Sequence, residues 1–151
     1  MKLKVVSVGK DRSGLFAPGV AEYAGRLKHV APVELVELKE SARSGAQAKA
    51  DEGERLLEAA GERAVLVALD ERGKTLSSVE LAQWLGRHLG TAPLVSFVIG
   101  GDEGLSDEVR AKAQLTLSLS KLTLPHRLAR LVLLEQLYRA FTIVRGEPYH
   151  K

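Results

Sequence analysis

Two six-residue stretches, AVLVAL at Ala64–Leu69 and LVSFVI at Leu94–Ile99, are apolar at nearly every position. A strand with one wet face alternates apolar and polar residues. These do not, so each reads as a strand buried on both faces. Similar but shorter signals lie at Lys2–Val8, Val33–Leu38 and Leu115–Leu119. Helical patterns separate them at Ala17–Val30, at residues 42–60 and at Ser77–Leu89, where Leu81, Trp84, Leu85 and His88 share one face. Strands joined through helices must pair by crossovers, which makes neighbours parallel. The expected class is α/β, a mostly parallel sheet of five to six strands with helices on both faces. At 151 residues and 45% hydrophobic content, the chain builds one core, so residues 1–151 are expected to form a single domain.

Composition narrows the function classes. No apolar run approaches the ~20 residues that span a bilayer, and MKLKVVSVGKD lacks the apolar core and cleavage site of a signal peptide. A soluble cytoplasmic protein without a membrane partner is expected. The absence of cysteine removes disulfides, thiolate nucleophiles and cysteine-ligated zinc. His29, His88, His126 and His150 have no metal-ligand spacing, so no metal is expected. A net charge of +3 and a pI near 9.3 permit an anionic partner such as RNA without requiring one.

Ligands of parallel sheets bind beyond the carboxyl ends of the strands, here the segments after Leu69, Ile99 and Leu119. After Ile99 comes GGDEGLSDEV, in which Gly100 and Gly101 permit a sharp turn and Ser106 caps a short helix with Asp107 and Glu108 in its first turn. This is neither a Walker loop nor GxGxxG, and its carboxylates repel phosphate. The third segment, Ser120–His126, offers backbone groups, small hydroxyls and apolar walls, a lining for adenine or ribose as readily as a structural crossover. Pro125 then starts a helix over Arg127–Arg145 that contains no Gly or Pro. Its apolar residues spread almost all round the axis, leaving a polar sector at Glu135, Arg139 and Thr142. One sheet covers one side, so the other side is expected to meet a second copy of the chain.

The segments FVIGGDEGL, LSLSKLTLPHRLARLVLLEQLYRAF and GEPYHK, in that order, resemble the RlmH family of ribosomal large subunit pseudouridine N3-methyltransferases, in the SPOUT superfamily. The match is dense in the C-terminal half and looser through MKLKVVSVGK, EYAGRL and LDERGKTLSSVELAQWL. The sequence departs from the family pattern at Asp102, where the family often has proline, and at Lys151, where it often has arginine.

The resemblance implies a C-terminal trefoil knot threaded at Ser120–Pro125. It implies S-adenosylmethionine as cofactor, surrounded by Leu69, Gly100, Gly101, Ser120, Lys121, Leu122, Thr123, Leu124 and Pro125. It implies a homodimer through the long helix and a pseudouridine in a stem-loop of large-subunit (23S) ribosomal RNA as substrate. Methyl transfer to N3 needs alignment of the nitrogen with the methyl group, loss of the N3 proton and stabilisation of the charge left on the carbonyl oxygens. The candidates are His126, Arg139, His150 and Lys151, with a histidine for positioning or proton removal and the cations for charge. Tyr149 adds a flat surface on which an unpaired base stacks, and Pro148 limits the freedom of the tail. Two other readings remain open: a related SPOUT enzyme acting on a transfer RNA ribose 2′-hydroxyl, and a noncatalytic ribosome- or RNA-binding module.

Overall fold

The computed structural model describes residues 1–151. Its elements run β1 (Lys2–Val8), α1 (Ala17–Leu27), β2 (Val33–Leu38), α2 (Gly45–Ala60), β3 (Val65–Thr75), α3 (Ser78–His88), β4 (Leu94–Ile99), α4 (Asp107–Lys112), β5 (Leu115–Ser118) and α5 (His126–Val144). Five strands form one sheet in the order β2-β1-β4-β3-β5, and every neighbouring pair is parallel. The expected α/β class is found, with five strands and no sixth.

Alternation along the central strands divides the core into two layers. Leu3, Val5, Val67, Leu69, Phe97 and Ile99 pack with residues of α1, α3 and α5. Their neighbours Val6, Val8, Leu66, Ala68 and Val98 face the other way, onto Leu56 and Ala60 of α2 and Val109 of α4. Apolar runs such as AVLVAL are therefore apolar throughout because each side of the sheet has its own helical cover.

Several boundaries differ from the sequence expectation, mostly by one to three residues, and one of them shapes the site. β3 does not end at Leu69. It continues to Thr75, where Lys74 and Thr75 pair with Leu117 and Ser118 of β5 after a break in register between Leu69 and Lys74. The intervening residues leave the ladder. Gly73 then passes so close to β5 that a Cβ there would stand 2.6 Å from the Thr116 carbonyl oxygen, a contact only glycine tolerates. The polar composition of DERGKT concealed this extension. α1 stops at Leu27 and β5 at Ser118, each short of its expected end.

α5 corrects a step of the argument made from sequence. Leu133, Leu134, Leu137, Ala140 and Phe141 are buried in the sheet-facing core. The flanks of the helix are covered within the same chain: Leu131 lies against Gly19 of α1, and Gln136 accepts a hydrogen bond from Ser78 of α3 at 2.6 Å. Neighbouring helices, as well as the sheet, account for its nearly all-round apolar character. Leu128, Val132, Glu135 and Arg139 form an outer stripe at helical spacing that is half-buried, and Arg127, Ala129, Arg130, Leu131, Gln136, Tyr138 and Ile143 are half-buried as well.

Candidate functional site

The ends of β3, β4 and β5 open onto a single cleft of about 780 Å³, the size of a small-molecule site. Leu69, Ile99, Leu117 and Leu119 give it apolar walls, and the 120–126 segment borders it on the side that leads into α5. Of the residues expected around a cofactor, Leu69, Gly100, Gly101, Ser120, Leu122, Thr123, Leu124 and Pro125 line the cleft. Lys121 is exposed and lies outside its wall.

Hydrogen bonds within the chain shape this segment. Ser118 Oγ donates to the Ser120 carbonyl at 2.8 Å, and the Leu122 amide donates to Ser120 Oγ at 3.0 Å. Thr123 Oγ1 donates to the Glu71 carboxylate, tying the loop to the part of β3 that has left the ladder. Pro125 supplies the N-terminal boundary of α5, and Arg127 at its first turn donates to the Lys10 carbonyl at 2.8 Å, fixing the helix to the end of β1. The loop is thus held at both ends while Leu122 at its tip is 74% exposed.

The two glycines of the β4 turn are required for packing. A Cβ on Gly100 would lie 2.7 Å from the Gly104 carbonyl group, and one on Gly101 would meet Val8 at 3.1 Å and Glu52 at 3.4 Å. A side chain at Gly101 would point into the α2 side of the sheet. A bulky residue there would therefore strain the turn rather than fill the cleft.

The carboxylates of the turn after β4 are legible in the sequence, but Asp70 and Glu71, which complete an acidic rim, are not. Asp70, Glu71, Asp102 and Glu103 all line the cleft, with Arg72 and Lys49. Asp70 sits between two guanidinium groups, Arg72 and Arg110, each at 3.2 Å, and Arg110 also bonds the Leu105 carbonyl and the Asp107 carboxylate. Burial works against ionisation of Asp70, but the hydrogen bonds and charge of Arg72, with the charge of Arg110, outweigh it and hold the carboxyl below the usual carboxylate range. The signal available in the sequence was DER directly after a buried strand. A rim of carboxylates over apolar walls favours a cationic ligand with an apolar body and disfavours a polyphosphate.

His126 is the one proposed catalytic residue in the cleft. Its Nδ1 stands 3.8 Å from Asp102, and its Nε2 is buried beside Gly9 without a hydrogen-bond partner. Arg139, Tyr149, His150 and Lys151 are elsewhere. Arg139 is 13 residues along α5, about 20 Å by helical rise. Gly146, with φ +72°, ends the helix, and the Glu147 amide donates to the Thr142 carbonyl at 2.8 Å, so the tail folds back. The Arg139 guanidinium lies 4.9 Å from the Tyr149 ring centre and 3.1 Å from His150 Nδ1. One chain therefore holds a cleft at one end of α5 and the cluster of Arg139, Tyr149 and His150 at the other.

No group of side chains is arranged to hold a metal ion, and no helix is long and apolar enough to cross a membrane. The family model described as a predicted SPOUT methyltransferase matches residues 1–150. Two relatives named ribosomal RNA large subunit methyltransferase H are similar over their whole length. The protein from Anaeromyxobacter sp. (strain Fw109-5) is 53% identical with all of both chains covered, and that from Syntrophotalea carbinolica is 47% identical with 99% of each covered. Among solved structures, a probable methylase family protein from Haemophilus influenzae Rd KW20 superposes with a TM-score of 0.61 at 16% identity, over 99% of this chain and 70% of that one. A probable methyltransferase from Bordetella pertussis Tohama I gives 0.58 at 15% identity, over 93% and 94%. At such identities the structural likeness establishes the fold alone.

Proposed function

The chain belongs to the SPOUT methyltransferase family, and from that premise we propose that it methylates N3 of a pseudouridine in 23S large-subunit ribosomal RNA, using S-adenosylmethionine, as a cytoplasmic homodimer. The observation that carries the reading is the cleft: three strand ends, apolar walls and a carboxylate rim suit a ligand with an adenine body and positive charge at its sulfonium and ammonium groups. The names of the full-length relatives supply the RNA class. Threading of the 120–125 loop into a trefoil knot belongs to the same reading, supported by the passage of that loop beside Glu71 before α5 returns beneath the sheet.

When bound, S-adenosylmethionine supplies a methyl group on a sulfonium, open to in-line displacement. The protein's task is then largely positioning. Leu69, Leu117 and Leu119 would hold the cofactor's apolar body, the Glu71 carboxylate, with Asp70 anchoring that wall, would favour its positive charge, and backbone groups of Ser120–Leu124 would complete the seat. His126 takes the N3 proton. His150, whose Nδ1 accepts from Arg139, presents Nε2–H to a carbonyl oxygen of the base as negative charge develops there, with Arg139 and Lys151 adding positive charge. Tyr149 stacks on the base or its neighbour.

These two groups of residues are separated within one chain, so the reading requires the tail of one protomer to serve the cleft of the other. A two-fold axis crossing the outer stripe of α5 brings the end of one helix to the start of its mate. The test is transfer of labelled methyl from S-adenosylmethionine to large ribosomal subunits in the presence of a chelator, followed by digestion and mass spectrometry. Label in N3-methylpseudouridine from the large-subunit RNA is expected. Label only on ribose hydroxyls or on transfer RNA, or none despite cofactor binding, would replace this reading with one of its two alternatives.

A further inference from the structure

At the far end of α5 the tail is held by a helix that has no part in the chemistry described so far. Tyr149 packs edge-on against Tyr138 at 4.8 Å between ring centres, and Tyr138 in turn lies 6.5 Å from Tyr23 of α1. The Arg26 guanidinium stands over both of these inner rings, 5.2 Å from Tyr23 and 5.5 Å from Tyr138. Arg26 and Arg139 are matched: each is fixed by a glutamate four residues earlier, Glu22 or Glu135, at 2.7 Å, and each lies over a tyrosine ring. Aromatic edges and guanidinium faces hold such contacts directionally, at low cost in side-chain freedom. Tyr23 and Tyr138 are half-buried against the core, whereas Arg26 is exposed and contributes nothing to that core.

We infer that Tyr23 and Arg26 are positioning residues for the reaction: with Tyr138 they set the place of Tyr149, and through it the direction in which His150 and Lys151 leave the protomer. This rests on the role proposed above for the tail. Burial, with the Tyr23 hydroxyl and Glu135 nearby, pushes the Tyr149 phenol above its usual range, so it stays neutral at working pH and the contact is insensitive to pH there. α1 thereby becomes part of the RNA-facing side of the shared site, although it lines no part of the cleft.

The test uses the full chain with Tyr23→Leu, Arg26→Ala, Arg26→Lys, Tyr149→Leu, the two double variants that add Tyr149→Leu to Tyr23→Leu or Arg26→Ala, and a deletion of Tyr149–Lys151. Thermal melting and cofactor calorimetry verify each fold, and methylation of large subunits is measured at saturating cofactor. Tyr23→Leu and Arg26→Ala should lower kcat/KM for RNA on the order of tenfold, without weakening cofactor binding. Arg26→Lys should recover part of the loss, since a lysine ammonium also sits over a ring. Neither substitution should add to the loss from Tyr149→Leu, because a residue that acts through the tail has nothing left to position. A purely structural role would lower the melting temperature and multiply with Tyr149→Leu, which overturns the inference. So does an Arg26→Ala enzyme within about twofold of wild type while the deletion is inactive. Full activity of the deletion would overturn the tail reading itself, and this inference with it.

Discussion

Asp70 is where the chemistry of one residue decides the state of the cleft. Its carboxylate joins the departing end of β3 to α4 through Arg72 and Arg110, and its folded pKa is held below the ordinary value of 3.8. A depressed carboxylate contributes stability that is fully present above the unfolded pKa and is lost as pH falls through the folded one. Wild type and Asp70→Asn should therefore differ most in melting temperature near neutral pH. The difference should shrink as pH falls below about 4, where the unfolded chain takes up the Asp70 proton first, and be gone once pH has passed the lower folded pKa. A constant gap across that range in melts at a series of pH values would show that the loss comes from packing and not from the charge. Cofactor affinity should weaken in the same variant, because the wall carrying Glu71 depends on this anchor.

Among the elements, α5 bears most on the proposed function, and its outer stripe is the proposed dimer surface. Leu137 and Phe141 cannot test this, since both are buried in the core and a charge there unfolds the chain. Leu128 lies half-buried on the stripe. Leu128→Asp is expected to move the sedimenting species from dimer to monomer at micromolar concentration while leaving the melt cooperative, and an unchanged dimer would exclude the stripe from the interface. α5 also shows what sequence can and cannot disclose. Its length and its start after Pro125 are plain from the pattern, because turn chemistry and apolar content are local. The helices that flank it are not, because Gly19 and Ser78 meet α5 only through the packing of distant segments. For the same reason most of the cleft lining was readable from three strand ends, whereas the outward turn of residues 70–73 was hidden behind a polar sequence that gives no period-two signal.

For the whole molecule, the proposed function builds each active site from two chains. The cleft contains His126 and the proposed seat for the cofactor, while Tyr149 and His150 gather on Arg139, about 20 Å further along α5. On the proposed function neither half suffices: a cleft without the tail would bind cofactor but not grip the base, and a tail without a cleft would have no methyl group to direct. Two inactive proteins with complementary defects should thus restore one complete site when they share a dimer. One partner is the deletion of Tyr149–Lys151. The other carries Thr123→Trp, which replaces the hydroxyl bonded to Glu71 with an indole in the cleft, verified by calorimetry to have lost cofactor binding. The decisive measurement is the methylation rate of differently tagged heterodimers, purified through both tags and assayed beside each homodimer. The account predicts activity approaching about half that of wild type, from one intact site of two, with both homodimers inactive. Heterodimers as inactive as their parents, or a deletion homodimer as active as wild type, would contradict it.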